Sequence, residues 1–290
     1  MIKSSKKTEE KNMLKNSKVV VNSNEIEESE VKIRPSKIDE MIGRKKEKET
    51  VKMMIKSAKK RGEVIDHILF YGPPGLGKTT FALAIANEIG SSIRITSGPA
   101  IERQGDLAAI LTNLKANDVL FIDEIHRLSR VVEEILYPAM EDRALDIVMG
   151  KGPSAKTIRL NLEPFTLIGA TTQIGKISSP MRDRFGLIQR LDFFEDEDMI
   201  EILKRASKLW DIEIGEGALG VVSAGSRGTA RVGLRLLRRV RDFAQNSNID
   251  VVDEEIVHKT MKLLGIDELG LESIDREILR VMYQNFEGGP

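Results

Sequence analysis

Cysteine is absent from this chain of 290 residues, which excludes disulfides, thiolate metal sites and cysteine nucleophiles. Histidine is scarce: only His67, His126 and His258 occur, at no spacing that would build a zinc site. Net charge is missing as well. The 45 basic residues are matched by 45 acidic ones, so global charge says nothing about a nucleic-acid partner, and any basic surface must be local. No apolar run approaches the ~18 residues that cross a bilayer. The N-terminus has no apolar core of the signal type and carries Glu9 and Glu10, which argue against a transit peptide. These absences predict a soluble cytoplasmic chain, long enough for two compact domains.

What the chain does have is Gly72-Pro73-Pro74-Gly75-Leu76-Gly77-Lys78-Thr79, set between the apolar runs Ile68–Tyr71 and Phe81–Ile89. This is the pattern G-x-x-x-x-G-K-[ST]. Glycines let backbone N–H groups turn inward around an anion, Lys78 reaches the outer phosphates, and Thr79 offers a hydroxyl to Mg²⁺. The following helix aims its positive end at the ligand. Chance would produce the four fixed positions in about one chain in a hundred of this length. Their place between a strand-like and a helix-like run makes a nucleoside triphosphate site the better reading.

A second landmark is Val119-Leu120-Phe121-Ile122-Asp123-Glu124. The apolar run fits a strand buried on both faces of a parallel sheet, and its C-terminal end is where such sheets carry ligand chemistry. Asp123 can hold Mg²⁺ through water, and Glu124 can orient the attacking water. An acidic loop after a strand is common alone, but not downstream of a phosphate loop. Phe165–Ala170 reads as another buried strand, ending at Thr171-Thr172, whose hydroxyls can sense a phosphate. Arg182 and Arg184 flank Asp183 on a short helix, a pattern that is often just a solvated face; downstream of a phosphate loop, either arginine is instead a candidate transition-state finger, in cis or from a neighbouring subunit.

The remaining text sorts into segments. Residues 1–30 are rich in Lys, Glu, Ser and Asn and predict a disordered tail. Helices are predicted over 47–60, 80–89 and 107–114, with a short strand at 93–96 leading to Ser97-Gly98-Pro99. Alternation on both sides of a Gly/Pro/Lys loop predicts a β-hairpin over 147–162. Its Ile158 and Leu160 either fold back on the body or protrude as an apolar docking surface. Residues 189–193 are predicted to close the sheet. From Glu195 the periodicity is helical. Met199, Ile202, Leu203, Ala206 and Leu209 mark one helix, and Ala218–Ser223 a short one. Thr229 is the expected N-cap of a helix reaching Ala244, and Asp253–Leu264 forms another. Arg231 falls in the first turn of its helix, where a cation opposes the dipole, so an anionic partner is expected for it. After Gly265 a linker leads to a helix from Ser273, which reads as the start of a further domain.

Taken together, these motifs resemble the RuvB family. The likeness rests on Gly72–Thr80, Ser97–Pro99, Val119–Ser129, Tyr137–Asp142, Phe165–Thr172, Ser179–Gly186 and Leu236–Phe243, and it runs from about residue 31 to 290. The resemblance implies an α/β fold of the AAA+ P-loop NTPase type over 31–194, a small all-α lid over 195–266, and the first part of a winged helix over 267–290. It implies an ATP hydrolase using ATP and Mg²⁺ in a homo-hexameric ring, driving Holliday junction branch migration in recombination and DNA repair. Its implied partners are RuvA and junction or duplex DNA. By the same resemblance, Ile33 and Arg34 touch the adenine, while Gly75, Gly77, Lys78, Thr79 and Thr80 hold phosphates and Mg²⁺. Asp123 and Glu124 are the Walker B pair, Thr171 the polar sensor, Arg184 the finger and Arg231 the lid's sensor arginine. Glu141, Asp142, Arg143 and Phe194 also fall on nucleotide-binding positions, and Ile158 and Leu160 on the surface that docks RuvA.

Four positions depart from the family's pattern: Met41 and Arg143 replace aromatics, Phe194 replaces a tyrosine, and Ala230 replaces a helix-starting proline. They are expected to bear on nucleotide affinity rather than on hydrolysis. The family continues beyond Gly288-Gly289-Pro290 through most of the winged helix. A second reading is therefore a nucleotide-dependent docking module that binds RuvA without moving DNA. A third, another AAA+ class such as a clamp loader, is opposed by the hairpin and by the Leu236–Phe243 helix.

Overall fold

The computed structural model describes residues 33–149 and 156–286. The predicted tail 1–30, the tip of the predicted hairpin and the Gly-Gly-Pro ending lie outside the described residues.

The chain divides into two units. Of the described residues, one comprises 35–72 and 78–191; the other comprises 192–286 with two short segments, 33–34 and 73–77. The first unit is built on α1 (Lys45–Arg61), β1 (Ile68–Tyr71), α2 (Lys78–Ile89), β2 (Ile93–Ser97), α3 (Gln104–Thr112) and β3 (Val119–Asp123). It continues with α4 (Arg130–Glu141), β4 (Ala144–Met149), β5 (Lys156–Asn161), β6 (Thr166–Thr171), α5 (Ser179–Arg182) and β7 (Leu187–Arg190).

Five strands form one sheet in the order β2-β3-β6-β1-β7, and every pairing is parallel. Parallel strands need crossovers, and helices on both faces bury them. That explains why β1, β3 and β6 read as nearly unbroken apolar runs, with Ile68, Leu69, Phe70, Leu120, Phe121, Ile122, Leu167 and Ile168 fully buried. Burying each such side chain is worth roughly 1.5–3 kcal/mol. The chain leaves β1 for the far side of the sheet and returns through β6, which pairs Tyr71 with Thr171. The C-terminal ends of β1 and β6 are therefore the usual ligand position of such sheets.

His67, just before β1, ties three elements together. The Leu167 N–H donates to its Nδ1 at 2.9 Å, so its Nε2 carries the proton and donates to the Met140 carbonyl at 3.2 Å. Burial is the main cause holding this imidazole below its usual pKa; the Met140 bond acts the other way.

In this unit the structure departs from the predicted elements in three places. The last strand is Leu187–Arg190, not 189–193, because pairing starts at Ile68↔Leu187 and ends at Tyr71↔Arg190; Phe193 is 57% exposed. The hairpin is real, but its first strand begins at Ala144, and Ala144 and Leu145 are buried. Helix α4 has no counterpart among the predicted helices. Pro138 lies within it, and a proline inside a helical pattern normally ends it.

The second unit holds α6 (Asp196–Leu209), β8 (Glu213–Ile214), α7 (Glu216–Gly225), α8 (Ala230–Asn246), β9 (Val251–Val252), α9 (Glu254–Leu263) and α10 (Ser273–Phe286). Its core is Met199, Leu203, Leu219, Val222, Leu237, Val240, Val257 and Met261, joined by Ile33 and Phe194. Asp253 caps α9 by accepting the Ile256 N–H at 2.9 Å. Thr229 occupies the cap position of α8 but caps nothing: its hydroxyl donates back to the Ser226 carbonyl at 3.1 Å. Trp210 lies under the guanidinium groups of Arg238 and Arg241, at 5.0 and 5.8 Å. Among the described residues no helix is long and apolar enough to cross a membrane.

Candidate active site

Gly72 follows β1 directly, at φ 139°. Its N–H donates to the Thr171 carbonyl at 3.2 Å, and the Leu191 N–H donates to Tyr71 at 2.8 Å. A Cβ on Gly72 would run into the Leu191 carbonyl, so both conformation and space require glycine here. Gly75 and Gly77 also take positive φ, 80° and 87°. Within the second unit, a Cβ at Gly75 would lie 2.8 Å from the Arg231 Cβ. Arg231 is the second residue of α8 and no acidic residue shares that first turn.

Lys78 opens α2 and is only 8% exposed. Its ammonium donates to the Gly72 carbonyl at 2.8 Å, which folds the lysine back into the loop. Thr79 and Thr80 follow in the first turn of α2, half-buried.

At the end of β3, Asp123 stands level with Ser97 of β2, and its Oδ1 accepts the Glu124 N–H at 2.9 Å. Glu124 adopts left-handed backbone, φ 46°, a strained conformation for a side-chain-bearing residue and one that clusters at functional sites. Its carboxylate meets Arg127 at 3.2 Å. Gly98 lies against this turn: a Cβ there would be 2.5 Å from the Glu124 carbonyl oxygen. This gives the Ser97-Gly98-Pro99 motif a physical reason, since backbone passes backbone.

Thr171, at the end of β6, is buried. Its hydroxyl accepts the Gln173 N–H at 2.9 Å and lies 2.9 Å from His126 Nδ1. His126 was not among the predicted site residues; its link to Thr171 spans 45 positions and leaves no local signal. Burial is the first cause lowering its pKa, with Lys176 and Arg127 acting the same way against Glu124 and Asp123. The neutral imidazole is therefore favoured at neutral pH.

Parallel pairing thus groups Lys78, Thr79, Asp123, Glu124 and Thr171 at one end of the sheet, and adds His126. Arg184 makes its contacts elsewhere. Its terminal nitrogens donate to the Pro180 carbonyl at 2.6 Å and to Glu141 at 3.0 Å, and its guanidinium lies 4.4 Å from the Tyr137 ring centroid. Asp142 pairs with Arg159 of β5 at 2.7 Å, and Arg143 takes φ 53°. Glu141, Asp142 and Arg143 thus gather at the C-terminal end of α4. Ile33 and Phe194 belong to the second unit's core. Ile158 and Leu160 are 44% and 36% exposed, so the hairpin presents them instead of folding them away.

Among the described residues no group of three or more acidic or histidine ligands could hold a metal by itself. A threonine hydroxyl and one carboxylate instead suit Mg²⁺, which keeps several waters and takes substrate phosphates as ligands.

The phosphate loop, the acidic pair at the end of β3 and the polar residue on the adjacent strand, set in this sheet order and followed by a helical unit, define a P-loop ATPase of the AAA+ type. The family model described as "Holliday junction DNA helicase RuvB P-loop domain" matches residues 33–191, and "RuvB AAA lid domain" matches 194–267. A "Holliday junction branch migration complex subunit RuvB" from Dehalococcoides mccartyi is 55% identical over 251 residues, covering 87% of this chain and 72% of that protein. The solved Thermotoga maritima RuvB, titled a Holliday junction branch migration motor, superposes with a TM-score of 0.80 at 47% identity, over 89% of this chain and 82% of that one. A point variant of the same protein superposes at 0.81 with 48% identity. The chain belongs to the RuvB family.

Proposed function

We propose that this chain is the ATP-hydrolysing motor of Holliday junction branch migration, working in the cytoplasm with RuvA on junction DNA in recombination and repair. The observation that carries the reading is the convergence of Lys78, Thr79, Asp123, Glu124 and Thr171 at one end of the sheet, in a chain 55% identical to a branch-migration RuvB.

In this mechanism ATP lies with its phosphates in the loop 72–79, where backbone N–H groups and the α2 N-terminus favour anions. Lys78 turns from the Gly72 carbonyl to the outer phosphates. Thr79 and Asp123 would hold Mg²⁺, which when bound neutralises charge developing on the phosphates. Glu124 orients the attacking water, and its strained backbone places the carboxylate just past the end of β3. Thr171, steadied by His126, reports on the γ-phosphate. Ile33, Arg34 and Phe194 contribute to the adenine side, and Gly75, Gly77 and Thr80 to the phosphate side. Arg231 reports nucleotide state to the helical unit. Arg184, with Glu141, Asp142 and Arg143, belongs to the edge that a subunit offers to its neighbour's ATP in a homo-hexameric ring. Ile158 and Leu160 form the surface that docks RuvA.

The test is Glu124→Gln. Nucleotide binding is expected to persist while turnover falls at least about a hundredfold, as is typical when a water-positioning group is removed. RuvA-dependent junction dissociation is expected to fall with it. Hydrolysis at the parent's rate would overturn the mechanism, and turnover without junction dissociation would favour a docking module.

A further inference from the structure

The motif Tyr137–Asp142 contains an aromatic residue that the mechanism above leaves without a task. We infer that Tyr137 is a positioning residue for Arg184, holding its guanidinium in the plane from which it reaches a neighbouring subunit's nucleotide. The inference rests on the reading of Arg184 as a group offered across a subunit edge.

Arg184 follows α5 and is reached by two residues of α4, Tyr137 and Glu141, and by the Pro180 carbonyl of α5 itself. Its guanidinium carbon lies 4.4 Å from the Tyr137 ring centroid, Glu141 holds one terminal nitrogen at 3.0 Å, and the Pro180 carbonyl holds the other at 2.6 Å. The side chain is only 20% exposed, and its Nε–H is buried with no hydrogen-bond partner. A cation held this way is fixed chiefly by its contact with the ring face and by two bonds from its terminal nitrogens. Such stacking gains strength where water is excluded.

The ring is itself fixed. Ser178 gives its one hydroxyl proton to the Glu133 carboxylate, so the Tyr137 hydroxyl, 3.1 Å from the Ser178 oxygen, is the donor of that pair. The same serine oxygen caps α5 by accepting the Met181 N–H at 3.3 Å. The chain Glu133–Ser178–Tyr137 therefore sets the ring angle from the same serine that starts the helix leading to Arg184. A leucine at 137 would keep apolar bulk but give the guanidinium no π face. A phenylalanine would keep the face and lose only the tether.

The experiment measures steady-state MgATP hydrolysis by the full chain with RuvA and junction DNA. Tyr137→Leu is expected to lower kcat about tenfold, as befits a stacked, partly desolvated cation. KM should change less than about twofold, because an arginine acting on the transition state leaves ground-state binding alone. Tyr137→Phe should retain most of the rate. Arg184→Ala should lose more than Tyr137→Leu, and the double variant no more than Arg184→Ala. A second measurement separates positioning from damage to the fold. An excess of Glu124→Gln subunits, whose own sites are idle but whose Arg184 is intact, is mixed with Tyr137→Leu subunits. Turnover per Tyr137→Leu subunit should rise, because intact neighbours complete its sites. A normal kcat for Tyr137→Leu beside a slow Arg184→Ala overturns the inference alone, as does absence of rescue on mixing. A normal kcat for Arg184→Ala overturns the reading on which it rests.

Discussion

Replacing Gly98 by alanine perturbs the segment that carries Glu124 and His126 without touching a reacting group. The added Cβ would sit 2.5 Å from the Glu124 carbonyl oxygen, 3.2 Å from the Leu128 nitrogen and 3.3 Å from the Arg127 carbonyl carbon. All three are backbone atoms, so no rotamer change relieves the overlap. Ordinary contact begins near 3.4 Å, leaving a shortfall of about 0.9 Å (3.4 − 2.5) that the turn 124–128 must absorb by moving. Forced shifts of this kind cost about 1–3 kcal/mol of stability. A misplacement of about 1 Å at a catalytic group can lower the rate a hundredfold, or about 2.7 kcal/mol in the barrier. Gly98→Ala should therefore still fold and bind nucleotide, because the loop 72–78 is untouched, while kcat for MgATP falls by about two orders of magnitude. Gly105→Ala in α3 is the control: nothing lies within 4 Å of its Cβ position, and it should be neutral or stabilise by about 0.4–1 kcal/mol. Thermal unfolding, fluorescent-nucleotide binding and turnover, measured on both variants, decide the matter. A folded Gly98→Ala chain hydrolysing ATP at the parent's rate would show that the close passage of the two turns does not set the position of Glu124.

Two further outcomes follow from side chains already placed. Because His67 is held below its usual pKa of 6.5 by burial, the unfolded chain takes up this proton first as pH falls. Stability is then full above about pH 6.5 and declines as pH drops toward the lowered folded value. His126, shifted in the same direction, adds to the trend. Urea midpoints should therefore fall on acidification from about pH 7, less so in His67→Gln; equal slopes in parent and variant would remove His67 from the account. At the hairpin, Ile158→Ser with Leu160→Ser should change unfolding free energy by less than about 0.5 kcal/mol, since both side chains face water. The same double change should abolish co-elution with RuvA, and retained RuvA binding would place the docking surface elsewhere.

The sheet was legible because strands buried on both faces leave continuous apolar runs, and Ile68–Tyr71, Val119–Ile122 and Phe165–Ala170 are such runs. The phosphate loop and the acidic pair were legible because their chemistry is confined to neighbours in sequence. Phe193 misled the reading of the last strand: apolar character drew the boundary outward, whereas pairing with β1 ends at Arg190. Pro138 concealed α4, which tolerates it one turn from its end. Thr229 has the right residue type at a helix start, but the Ser226 carbonyl claims its hydroxyl. His126 with Thr171, and Tyr137 with Arg184, meet across 45 and 47 positions (184 − 137). No spacing rule reaches that far, and only the fold brings them together.

Helix α4 behaves as a ruler. Glu133, Tyr137 and Glu141, each four residues apart, address Ser178 and Arg184, while Val132, Leu136, Ala139 and Met140 form the adjoining buried stripe. Each residue advances a helix by about 100°. Inserting or deleting a single residue between Glu133 and Tyr137 would swing one stripe out of the core and separate the other from the arginine together. Substitutions along α4 disturb one contact at a time, but a change in its length disturbs all of them. Across natural relatives the spacing from Ser129 to Asp142 should therefore admit no gap, even where the residues themselves vary.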